Sequence, residues 1–176
     1  MAEGGAFSAQ VRSAWYDDAQ LPTIYLRVPL EAAVAASGAT QIHMHHAESL
    51  RVNLEGCGDA DLEGATGEAN VSVAGDRPRV RLYDSGAATV RIAGDGDVLL
   101  GVVRQSLALS IAGDGDFVAA HADGPTSIAI TGDGRATIRE GRAAPMSVTI
   151  LGNGQVAHNG SAARLDVSIF GEGDVR

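Results

Sequence analysis

The sequence predicts an all-β chain: a single-domain parallel β-helix, a solenoid of about seven rungs of 19 residues with an N-terminal cap. Three observations carry this. Gly56, Gly75, Gly94, Gly113, Gly132, Gly152 and Gly171 recur at steps of 19, 19, 19, 19, 20 and 19 residues. The residues before each glycine alternate apolar and polar at period two, the mark of a strand with one buried face. Hydrophobic content is 45% but aromatic content only 4%, so the core has to be thin layers of Val, Ile, Leu and Ala.

Aligning the repeats on their glycines locates the core. Leu54, Val73, Ile92, Ile111, Ile130, Ile150 and Ile169 lie two residues before a glycine. Val52, Val71, Val90, Leu109, Ile128, Val148 and Val167 lie two further back, and Asn53, Ser72, Arg91, Ser110, Ala129, Thr149 and Ser168 stand between the two sets. Stacked in register, the aliphatic sets form two ladders, each buried member contributing roughly 1.5–3 kcal/mol before the cost of ordering it. Several glycines open a Gly-x-Gly-Asp tetrad, as in Gly94-Asp95-Gly96-Asp97 and Gly113-Asp114-Gly115-Asp116. A second, weaker strand follows each tetrad, for example Val98–Leu100 and Phe117–Ala119. The tetrad is therefore a corner, where glycine accepts positive φ and Asp caps the local backbone. Parallel strands joined in this way coil right-handed by the crossover rule.

Residues 37–55 align as an earlier, glycine-poor rung, with Leu50, Val52 and Leu54 on ladder positions, so the repeat domain is taken as 37–176. Residues 1–36 are assigned to a cap, since a solenoid end exposes unpaired backbone and core. Within them Thr23–Val28 reads as a strand between Pro22 and Pro29, and Phe7–Tyr16 as a strand or short helix. No cap is visible at the C-terminal end of the repeat, which could stack on another chain.

The formal net charge is -9, and all thirteen basic residues are Arg. An acidic surface argues against nucleic acid. Cys57 is the only cysteine, so no intramolecular disulfide forms, and no apolar run is long enough for a membrane helix. The start, Met1–Gly5, lacks the basic and apolar regions of a signal peptide, which fits a cytosolic chain or an exported one stripped of its leader.

The serial pattern of aliphatic strand, Gly-x-Gly-Asp and then Val or Leu resembles the head-GIN domain family of auto-transporter adhesins. Leu109–Phe117 and Val167–Val175 carry the likeness with their sister repeats, over about residues 48–176. This chain departs from the family in placing Cys57, Asp76, Asp95, Asp114, Asp133, Asn153 or Glu172 where Ser is frequent, and in a shorter N-terminal part. The resemblance implies a β-helix exported to a bacterial envelope, with an adhesive role and no catalytic residues.

Three sets of side chains are candidates for chemistry. Asp76, Asp95, Asp114 and Asp133 would line one edge about 4.8 Å apart, with Asp97 and Asp116 nearby; such acids repel, and Ca²⁺ would relieve them. The bland alternative is turn capping, and the nine-residue calcium-binding β-roll spacing is not reproduced. In Gln41–His46, His43 and His45 share a strand face and, with His46, offer imidazoles to Zn²⁺, Cu²⁺ or Ni²⁺. His121 aligns there with His45, and His158 with His43, several rungs away; exposed, incidental histidines are the alternative. Arg77, Arg79 and Arg81 would put three guanidinium groups on one side of an extended run, for a carboxylated or sulfated glycan or simply to answer nearby acids. No nucleophile elbow occurs, and the acids belong to the repeat, so no enzyme is expected.

The sequence thus points to a non-enzymatic exported domain for surface interaction or adhesion, periplasmic or extracellular, with a cytoplasmic site still open. Its expected partner is a surface component or glycan, not nucleic acid. The alternatives are a self-assembling envelope protein that forms homo-oligomers through its coil ends, and a Ca²⁺-binding module. No cofactor is expected beyond that Ca²⁺.

Overall fold

The computed structural model describes Gln10–Val11 and residues 31–176. Within them every element is a strand and every ladder is parallel. The elements are β1 (Gln10–Val11), β2 (Glu31–Ser37), β3 (Gln41–Met44), β4 (Ser49–Glu55), β5 (Asp59–Leu62), β6 (Ala65–Gly75), β7 (Arg79–Gly94) and β8 (Asp97–Ala112). They continue as β9 (Asp116–Ala122), β10 (Gly124–Thr131), β11 (Arg135–Glu140), β12 (Arg142–Leu151), β13 (Gln155–His158), β14 (Ser161–Ala162), β15 (Leu165–Phe170) and β16 (Asp174–Val175).

The chain winds as a β-solenoid of about eight coils. The strand before each corner glycine forms the first face, where Val52, Val71, Val90, Leu109, Ile128, Val148 and Val167 are consecutive register partners. The strand after each corner forms the second face, with Ala60, Val80, Val98, Phe117, Ala136, Val156 and Val175 stacked inward. A short third side joins second face to first through Ala47, Ala65, Ser85, Val103 and Ala122. β7 and β8 run unbroken through all three. Neighbouring coils lie about 4.8 Å apart, so eight coils span roughly 34 Å.

Alternation does the sorting. In β4 the residues Leu50, Val52 and Leu54 are buried while Arg51, Asn53 and Glu55 are exposed. The core is one cluster of Val, Ile, Leu, Ala and Met, with Phe117 as its aromatic member. The C-terminal coil differs, since its ladder residues Val167 and Ile169 are 38% and 39% exposed.

The seven corner glycines all adopt positive φ, between 98° and 138°. They stack directly: a Cβ added to Gly113 would lie 2.8 Å from the carbonyl oxygen of Gly94. An eighth member, Gly38 at φ 83°, lies beneath Gly56. β2 pairs with β4 from Glu31↔Ser49 to Ser37↔Glu55, so a ladder strand occupies residues assigned to the cap from sequence. Its inward residues Ala32 and Ala36 are small, which hides the rung from a search for large aliphatics. β1 pairs with β2 at Gln10↔Ala35 and Val11↔Ala36. The strand expected over Thr23–Val28 and the rest of the Phe7–Tyr16 segment lie outside the described residues.

One corner is longer than its neighbours. Arg79 N–H donates to Gly58 O and Asp97 N–H to Pro78 O, both at 2.9 Å, which makes Pro78 the equivalent of Gly58 and Gly96 and leaves Arg77 as an extra residue. Arg77 is the non-glycine residue with positive φ among those described, at 56°.

The glycine column generates a quantitative expectation. Gly113→Ala should cost about 1–3 kcal/mol, from the unfavourable φ and the collision with Gly94. Ser110→Ala, exposed on the same coil, should stay within about 0.5 kcal/mol. Urea midpoints check this; equal midpoints would remove the corner column as a constraint.

Candidate binding face

The second face sends alternate side chains outward in two main columns. One contains Gln41, Asp59, Arg79, Asp97, Asp116, Arg135 and Gln155; the other contains His43, Asp61, Arg81, Leu99, Val118 and Thr137. The six acids considered for a cation therefore fall into two separate sets. Asp97 and Asp116 are neighbours in the first column, bracketed by Arg79 and Arg135, and Asp97 Oδ2 lies 3.6 Å from Arg79 Nη2. Asp76, Asp95, Asp114 and Asp133 follow the stacked glycines on the corner edge, and all four are exposed. Two already have partners: Asp76 Oδ1 lies 3.7 Å from Arg77 Nε, and Asp133 Oδ1 accepts a hydrogen bond from Asn153 Nδ2 at 2.9 Å.

The histidines separate as well. β3 turns His43 outward in register with Asp61, while His45 and His46 follow the strand and share one carboxylate. His45 Nδ1 lies 2.9 Å from Glu63 Oε1, and His46 Nδ1 lies 3.3 Å from Glu63 Oε2. Hydrogen bonds from His45 and then His46 hold the Glu63 carboxyl below its ordinary value of 4.5. Glu63 escaped the sequence reading because it sits outside the glycine tetrad; its distance of 18 residues from His45, one coil, was the available signal. Among the described residues no group of three or more His, Cys, Asp or Glu side chains is arranged to hold a metal ion.

Two alignments made from sequence are corrected by the register. His121 pairs with Val102, which pairs with Asp84, and since Ala47, Ala65 and Ser85 are partners one residue on, His121 shares the column of His46 and not that of His45. His158 pairs with Ile138 in the inward column that contains Leu62 and Leu100, not with His43. Each alignment is off by one residue, because the coil from Gly38 to Gly56 is 18 residues long and counting back 19 from Gly56 misses Gly38. His121 stands 3.0 Å from Asp123 Oδ2 and 4.0 Å from Glu140 Oε2. The Asp123 carboxyl is held below its ordinary range by the Arg142 backbone N–H, at 2.9 Å, and then by His121.

The arginine run is also corrected. Arg77 belongs to the corner, so only Arg79 and Arg81 project from β7 side by side with the acids. Both line a surface depression of about 250 Å³ with Gln41, His43, Asp59 and Asp61. Beyond it the face changes character. Tyr83 is 56% exposed, Leu99 39% and Val102 37%. Gly101 faces Tyr83 across the ladder, where an added Cβ would stand 2.0 Å from the Tyr83 carbonyl oxygen. Sequence reasoning missed this patch because one exposed aromatic has no period to reveal it.

The family model described as "Putative auto-transporter adhesin, head GIN domain" matches residues 26–122, more than half of the chain. The chain belongs to the head GIN domain family. Its remaining coils continue the same ladders beyond the matched region, as the pairing of β10 with both β8 and β12 shows. No curated protein and no solved structure matches the chain significantly. Both the depression and Tyr83 of this head GIN domain lie inside the matched region.

Glu63 gives a pH expectation with a definite sign. Its lowered carboxyl value means its contribution to stability is fully present above pH 4.5 and is lost as pH falls through the lowered value. Glu63→Gln should therefore lower the melting temperature near pH 6 and lose that difference in the acid limb. A constant difference between the two proteins down to pH 2–3, about where such carboxylates are fully protonated, would contradict the assignment.

Proposed function

We propose that this head GIN domain is a non-catalytic adhesion module, exported to a bacterial envelope or beyond it, that binds a surface partner through its second face. The observation carrying the reading is the exposed patch of Tyr83, Leu99 and Val102 beside the Arg79–Arg81 depression, held on rigid ladders. Exposed apolar side chains grouped next to polar ones mark interaction sites more than scattered ones do. A solenoid suits the task, because each coil fixes the next and the surface needs little reordering on binding. The family's description as an auto-transporter adhesin supports the same role and an extracellular or surface location. Among the described residues no helix is long and apolar enough to cross a membrane.

Beads coated with the chain test this against bacterial cells, host cells and extracellular-matrix surfaces. Tyr83→Ala combined with Leu99→Ser should cut retention severalfold on the surface the native chain binds, with an unchanged melting temperature. Retention equal to that of the native chain, or no retention on any surface, would overturn the reading.

A further inference from the structure

We propose that the second face, from the depression at His43–Asp61 to the Tyr83–Leu99 patch, binds a neutral oligosaccharide chain laid across successive coils. This rests on the adhesion reading and names its ligand class.

The depression is built from balanced donors and acceptors. Arg79 and Arg81 supply guanidinium N–H groups, Asp59 and Asp61 supply carboxylate oxygens, and the formal charges cancel. These groups alternate by register, with Asp59 opposite Arg79 and Asp61 opposite Arg81. Despite that adjacency, the side chains of Asp59, Asp61 and Arg81 make no hydrogen bond or ion pair with any described residue. Arg79 has only the 3.6 Å approach to Asp97. Their hydrogen-bonding capacity is therefore free for a ligand. A sugar hydroxyl is both donor and acceptor, and vicinal hydroxyls match a mixed array of this kind better than a phosphate or carboxylate would. A polyanion would meet as many carboxylates as guanidinium groups, on a chain whose net charge is -9.

The adjoining patch supplies the apolar half of the same recognition. Tyr83 and Arg81 are two residues apart and project from the same face of β7. On the next coil Leu99 is the register partner of Arg81, and Gly101 lies opposite Tyr83. Gly101 has no side chain and admits none, so that coil sets no side chain opposite Tyr83. A pyranose presents axial C–H groups on one face and hydroxyls at its rim. The C–H face can pack on Tyr83 while the rim reaches Arg81 and Asp61, a combination of aromatic platform and few polar groups that suits a small-ligand site. The coil spacing of about 4.8 Å is close to the length of one pyranose in an extended chain, so consecutive sugars can address consecutive coils.

Isothermal titration of the full chain against cellohexaose, xylohexaose, maltohexaose, chitohexaose and the anionic hexagalacturonate tests the proposal. At least one neutral hexasaccharide should bind saturably, and Tyr83→Ala and Arg81→Ala should each weaken it about tenfold or more. Tyr83→Phe should retain binding, since the ring and not the hydroxyl stacks, and Arg91→Ala on the first face should change nothing. Far-UV circular dichroism and the melting temperature establish that each variant is folded. Binding of hexagalacturonate alone, no saturable binding to any neutral hexasaccharide, or equal loss in Arg91→Ala and Tyr83→Ala would overturn it. Bead retention that depends on Tyr83 without any saccharide binding would refute the sugar but keep the adhesion reading. Absence of retention would refute the adhesion reading itself.

Discussion

The corners of this solenoid approach one another more closely than any residue with a side chain permits. For the seven sequence-periodic glycines, an added Cβ would meet backbone of the preceding coil at 2.3–2.9 Å. Each also adopts a φ that other residues take only under strain. Because the corners nest at this distance, the strands on either side of them meet in register. The inward aliphatics then form continuous ladders and the outward side chains form continuous columns. Register is everything here: a slip of one residue would turn Ile92, Ile111 and Ile130 to solvent and bury Arg91.

The candidate face is a by-product of that regularity and of its local failures. Repetition alone would have produced eight similar coils with a uniform surface. The Arg77 insertion lengthens one corner but is absorbed there, since Pro78 takes the place of Gly58, and β7 meets β5 with Asp59 beside Arg79 and Asp61 beside Arg81. One coil later the outward residues become Leu99 and Gly101, and the surface passes from polar to apolar within two coils. The mixed character of the face therefore comes from the coils that depart most from the consensus repeat.

The sequence showed the architecture because the fold is periodic. Glycine spacing, alternation and ring-poor composition each point to stacked parallel strands, and family, core and corners follow from them. What was hidden lies where the period is weak. The coil of β2 carries Ala32, Val34 and Ala36 on its ladder and has only Gly38 as a corner mark, so it merged into the assigned cap. Alignment by counting from glycines also fails where coils differ by a residue, which misplaced His121 and His158 and drew Arg77 into a strand. The candidate site was harder still. Glu63 meets His45 and His46, and Tyr83 meets Gly101, only through stacking, and no linear pattern ties either pair together.

The central claim is that coils stack in fixed register along one axis, so that surface columns are linear arrays. Asn53, Arg91, Ala129 and Ser168 belong to one outward column, two coils apart at each step. Dipolar electron paramagnetic resonance between nitroxides at Asn53 and each of the other three, in a Cys57→Ser background, measures this directly, by continuous-wave line broadening for Arg91 and by double electron–electron resonance for Ala129 and Ser168. The distances should be narrow and rise in equal increments of about 9.6 Å, or about 4.8 Å per coil. Broad distributions, or distances that do not increase linearly from Arg91 to Ser168, would contradict the account.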